Sequence, residues 1–204
     1  MKLLERRRLG ERGAALVEFA MVLPLLLLLL LGVVEYGIAF NQRLTIGNVS
    51  QTAARVGTAV GNKPEADMSI LGAVAQGVFS LPGNGTQIIK QVQIYKADAF
   101  GEPTSQNNVY NYNLVGTPTD GNCDWQPCPD PNTYDVNSLP WPPGSRSVDI
   151  GSLDVMGVRI IFAHEWITGG LVPLPDVSCS VIPSNCWQDT AVMRLEPLKF
   201  GVGG

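Results

Sequence analysis

One histidine, four cysteines and 16% charged residues leave this chain of 204 residues with few of the groups that catalysis requires. His164-Glu165 opens like the zinc-protease pattern H-E-x-x-H, but Thr168 holds the fifth position and no second histidine exists to complete the metal pair. A Gly-rich phosphate cradle ending in Lys-Ser/Thr is missing, as is a G-x-S-x-G nucleophile elbow. The stretch from Asp120 to Asp124 has the first acidic and amide positions of a calcium loop. Trp125 stands where the sharp turn needs glycine, and no clear distal glutamate follows, so it reads as a plain turn. With nucleophile, base and orienting group never assembled, the sequence predicts a protein that is not an enzyme and carries no cofactor and no metal. There is also no basic patch outside the N-terminus, which excludes nucleic acid as a partner, because phosphate binding is carried by Lys and Arg. No internal repeat is visible.

What is present begins with an apolar run. Behind the basic leader MKLLERRRLGER, the segment Gly13 to Val34 reads GAALVEFAMVLPLLLLLLLGVV and carries one ionisable residue, Glu18. It is long enough to cross a bilayer as a helix, which takes roughly 20 mostly apolar residues. A charged group at the centre of such a helix costs about 2.5 to 3.5 kcal/mol on insertion scales, so even Glu18, near the cytoplasmic end, marks a functional position. Lys2, Arg6, Arg7, Arg8 and Arg12 precede the run, whereas from Tyr36 onward nine Lys/Arg face fourteen Asp/Glu. Lys and Arg close to a span stay inside, which places the N-terminus in the cytoplasm and residues 36–204 outside.

All four cysteines lie in that outer part, as the close pairs Cys123/Cys128 and Cys179/Cys186. An even number in an exported domain favours disulfides over zinc, and the spacings exceed those of C-x2-C knuckles. Of the three possible connectivities, the two local pairings are expected.

Residues 41–61 continue with small and apolar positions at helical spacing (Leu44, Gly47, Ala53, Ala54, Gly57, Val60). A single helix from Ala14 to about Val60 is roughly 70 Å long at 1.5 Å per residue, over twice the hydrocarbon thickness of about 30 Å, so half of it stands outside the membrane. Pro24 is expected to kink it. The small residues of the outer half leave room for another helix or a neighbouring subunit. Tyr36 and Phe40, with Glu35, are placed at the outer membrane boundary. Beyond the break at Asn62-Lys63-Pro64, residues 65–80 read as a shorter amphipathic helix, followed by strands at Ile88–Ala97, around Val155–Ala163 and at Asp189–Leu195. Residues 101–147, rich in Pro, Asn, Gly and Asp, read as a loop-rich insertion. The expected fold class is α+β. A leader (1–13), a transmembrane segment (14–35) and a helical extension (36–61) precede an extracytoplasmic domain (62–204) with a few-stranded antiparallel sheet.

The motif RRRLGERG-AALVEF resembles a type IV prepilin leader: a short basic stretch ending in Gly13, then an apolar mature end with Glu18 at its fifth position. Together with AALVEFAMVLPLLLLLLLGVVEYG and the later QTAARVG, it resembles the TadE-like family, minor pilins or pseudopilins of the tight-adherence (Flp) pilus system. The resemblance covers about residues 8–60. It implies cleavage between Gly13 and Ala14 by the prepilin peptidase, an aspartyl membrane protease. Other pilin subunits and the assembly platform in the bacterial inner membrane are the implied partners. The freed amine of Ala14 lies one helical turn from Glu18, and the Glu18 carboxylate of one subunit is suited to neutralise the amine of its neighbour. A Glu18 that caps only its own helix is the simpler alternative. The chain is longer than a major Flp pilin, so it resembles a minor or accessory subunit. Two rival readings are a secreted protein whose signal peptide is cut after Ala39, and an uncleaved bitopic protein with an extracytoplasmic binding domain.

Overall fold

The computed structural model describes residues 2–81, 85, 88–112, 124–129, 136–164, 166–169, 179 and 185–197, with the backbone alone for 2–12. Helix α1 (Lys2–Val60) takes in the whole apolar run and its extension, and Pro24 lies inside it. The chain divides into two units. One comprises Met1–Phe40 with Trp166–Pro175, the other Asn41–Glu165 with Asp176–Gly204.

In the first unit, α1 from Gly13 to Val34 is exposed almost throughout; Leu16, Met21, Leu25 and Val33 each leave over 60% of their surface open. This helix is long and apolar enough to cross a membrane, with a mean hydropathy of 2.7 over its most apolar window and none of that window buried. A helix this apolar all round is stable only where its surround is apolar too.

The second unit is built on a five-stranded antiparallel sheet in the order β3-β2-β1-β4-β5. Its strands are β1 (Ile89–Ala97), β2 (Pro103–Tyr112), β3 (Trp125–Gln126), β4 (Val155–Ala163) and β5 (Cys186–Arg194). One face of the sheet packs with Ile46, Val49, Ala53 and Ala54 of α1 and with Ile70, Leu71 and Val74 of α2 (Ala66–Gly77). Val92 and Ile94 point into this core opposite Ile160 and Val158 of β4, as period-2 alternation requires. Burying one such aliphatic side chain is worth about 1.5 to 3 kcal/mol, so the apolar stripe of the C-terminal part of α1 is a main source of this unit's stability.

The small residues of α1 are used within the chain. A Cβ on Gly57 would collide with Met156 and Ile70, so glycine lets the helix approach both α2 and the sheet. The second helix is shorter than the sequence suggests: α2 stops at Gly77, and Val78–Ser80 forms a 3-10 turn. The expected third strand starts three residues earlier, at Cys186.

The largest difference lies within 101–147, where a loop-rich insertion is expected. Pro103–Tyr112 is a full strand paired along β1, and Trp125–Gln126 adds a short edge to it. PTSQNNVYNY has almost no apolar alternation. It is a strand because β1 offers a ladder and because its polar side chains find partners, among them Asn111, which accepts from Gln91 Nε2 at 2.7 Å.

Candidate functional site

The residues that the sequence singles out lie on the exposed stretch of α1. Gly13 has nothing within 4 Å of the position a Cβ would take. Glycine inside a helix costs about 0.5 to 1 kcal/mol relative to alanine, and no packing among the described residues accounts for this one. Glu18 is exposed, flanked by the exposed Val17 and Phe19, and makes no hydrogen bond or ion pair among the described residues. It is thus a lone carboxylate on an apolar surface. Ala14 is exposed on the same helix, one turn before it.

The C-terminal end of the run has a different construction. Glu35, the first ionisable residue after the apolar run, is only 1% exposed. Its carboxylate accepts the backbone N–H of Ile167 and, at 3.2 Å, that of Thr168. Those amides belong to a turn closed by a hydrogen bond from Gly169 N to Trp166 O of 3.1 Å, with Gly169 at φ 61°, where glycine is unstrained. Two amide donors satisfy a carboxylate that burial alone would penalise. Tyr36 and Phe40, one turn apart on α1, remain exposed at 53% and 63%.

In the second unit the lone histidine is a core residue. His164 is buried, and its Nδ1 lies 2.6 Å from Gln42 Oε1. Glu165 lies outside the described residues. The most densely paired polar group went unnoticed in the sequence. Asp67, in the first turn of α2, is ion-paired with Arg146 and accepts from Tyr110 Oη at 2.6 Å and Asn108 Nδ2 at 2.9 Å. Asn108 also bonds the backbone of Trp141 in both directions, at 2.7 and 2.8 Å, and the Arg146 guanidinium lies 4.6 Å from the Trp141 ring centroid. Every member is buried, and Arg146, Tyr110 and Asn108 all donate to the one carboxylate, so the cluster ties α2, β2 and the 141–146 segment together. The one available signal was an aspartate on the apolar side of an amphipathic helix.

On the opposite face of the sheet, Tyr95 lies over Gly157 and beside Arg159, with its hydroxyl donating to Gly101 O at 3.0 Å. Burial pushes its hydroxyl above the ordinary value of 10, against the pull of the Arg159 guanidinium.

Cys179 and Cys186 form a disulfide with Cα atoms 5.7 Å apart. Cys128 is disulfide-bonded. Cys123, its expected partner, lies outside the described residues, as does Asp120. Among the described residues no group of three His, Cys, Asp or Glu side chains could hold a metal ion.

The architecture is that of an α+β domain joined to one exposed apolar helix compatible with a single-pass membrane anchor. Residues 13–55 match the family model described as TadE-like protein, the family that the motif in this part of α1 resembles. Searches of curated proteins and of solved structures give no match.

Proposed function

We propose that this protein is a membrane-held minor pilin, or pseudopilin, of a tight-adherence pilus. In this reading it is matured by prepilin peptidase between Gly13 and Ala14 and takes part in assembling or initiating the filament. The observation that carries the reading is the lone exposed carboxylate of Glu18, five residues beyond a glycine that packs on nothing, within a helix that is TadE-like over 13–55. The role is one of interaction and has no catalytic step of its own. The apolar helix holds the subunit in the inner membrane with its N-terminus in the cytoplasm, and there the peptidase meets Gly13. After cleavage the amine of Ala14 is charged, and the Glu18 carboxylate of an adjoining subunit neutralises it in the apolar bundle, where an unpaired charge is costly.

Two variants separate processing from assembly. Gly13→Leu is expected to leave the full chain uncut, read as the intact mass of membrane-extracted protein; a variant still trimmed to Ala14 would overturn the cleavage assignment. Glu18→Ala is expected to be inserted and largely cleaved but to give fewer surface filaments as the only copy. Normal piliation would reduce Glu18 to a cap on its own helix. A native N-terminus at Phe40 or at Met1 would instead select a secreted or an uncleaved bitopic protein.

A further inference from the structure

The 21 residues from Ala14 to Val34 rise about 31 Å at 1.5 Å each, which equals the hydrocarbon thickness of about 30 Å. With that segment across the bilayer, Glu35 falls at the outer hydrocarbon boundary. The Trp166–Gly169 turn is bonded through two successive amides to that carboxylate, so it is held at the same height. Its side chains suit that position. Ile167 is 69% exposed, and Trp166, half-buried, belongs to a residue type enriched at the membrane–water interface. Tyr36 and Phe40 are exposed on α1 in the same unit. A 69% exposed isoleucine on a turn is unremarkable alone, but one fixed at the end of an exposed membrane-length helix has a defined apolar neighbour, the lipid.

We propose that the Trp166–Gly169 turn is a second membrane contact, an interfacial anchor that sets Ile167 and Trp166 against the lipid at the outer boundary, with Glu35 as its positioning residue. The occupant of this surface is the bilayer, because the turn is bonded to Glu35 at the end of the exposed, membrane-length apolar run of α1. A burial role explains why Glu35 breaks the apolar face without a cationic partner: its two oxygens serve backbone amides. The turn limits how far α1 slides along the bilayer normal, since withdrawing it exposes Ile167 to water and inserting it deeper carries Glu35 and its amides into hydrocarbon.

The inference rests on reading α1 as a membrane span, and the test separates the two. The described residues contain no free cysteine, so a single introduced thiol on the full chain can carry a nitroxide label. Ile167→Cys and, as the mid-span reference, Leu27→Cys are labelled and reconstituted into phosphatidylcholine vesicles. Collision rates with oxygen, which concentrates in lipid, are compared with those of a water-soluble nickel chelate. Both positions are expected to favour oxygen, Leu27 more strongly. Glu35→Ala in the Ile167 background is expected to invert the ratio at Ile167 and leave Leu27 unchanged. A lipid-like Leu27 with a chelate-accessible Ile167, or an Ile167 shielded from both reagents as in a protein contact, overturns the anchor. An Ile167 that stays in lipid after Glu35→Ala overturns the positioning role of Glu35. A chelate-accessible Leu27 removes the membrane span itself.

Discussion

Single side chains in the second unit are specified by close contacts. Tyr95 and Gly157 are directly cross-strand, and a Cβ on Gly157 would enter the tyrosine ring, so the ring covers the place that a side chain would otherwise fill. Gly157→Ala is therefore expected to lower stability by about 1 to 3 kcal/mol, the usual cost of overpacking, measured by urea denaturation. Tyr95 also confers an alkaline dependence. Its hydroxyl is raised by burial, so the folded state holds the proton more tightly than the unfolded state does. That contribution is fully present below about pH 10 and is lost as pH rises through the higher folded value. Tyr95→Phe is expected to lose about 0.5 to 1.5 kcal/mol at neutral pH with its bond to Gly101 O. The same variant is expected to show a smaller decline than the parent between neutral pH and pH values above that range. A parallel decline in both proteins would assign the alkaline effect to other groups.

Elements are joined by polar ties as well as by apolar packing. Asp67 brings α2 to β2 and to Arg146, and neither ionised side chain has appreciable exposure. Removing one partner leaves a buried charge unpaired, so Asp67→Ala is expected to cost about 3 to 5 kcal/mol, read from the urea midpoint. A replacement of all the polar members by apolar residues of matched volume need not cost as much, because the desolvation of the charges disappears with them. The Cys179–Cys186 disulfide closes a separation of only seven residues onto the start of β5. A loop that short gives less entropic stabilisation than a 15-residue one, so breaking the bond with Cys179→Ser and Cys186→Ser together is expected to cost no more than about 3 kcal/mol.

At the scale of the whole molecule, the apolar surface is divided between two solvents. The core residues of the second unit lie from Ile46 onward, whereas the apolar side chains before Glu35 are exposed and find no cover among the described residues. An exposed patch of that extent marks a surface that meets lipid or another protein. A fragment beginning at Asn41 is therefore expected to be water-soluble and to unfold cooperatively, with its near-ultraviolet circular dichroism intact at rest. The full chain is expected to require detergent or lipid, as analytical ultracentrifugation would show. Aggregation of the fragment with loss of its aromatic signal would mean that the first forty residues are part of the folding core. What the sequence by itself determined about this protein is what local order can encode. The apolar run, the helical spacing beyond it, the amphipathic second helix and the alternating strands at 89–97 and 155–163 were all legible, because each needs only near neighbours to show its period. The tertiary structure alone decided that PTSQNNVYNY is a strand, that Asp67 meets Arg146 across 79 positions, and that Glu35 grips a turn 132 positions away. A polar side chain carries no periodic mark of its partner; which donor reaches it is set only when the chain closes and burial makes an unsatisfied group too costly to leave.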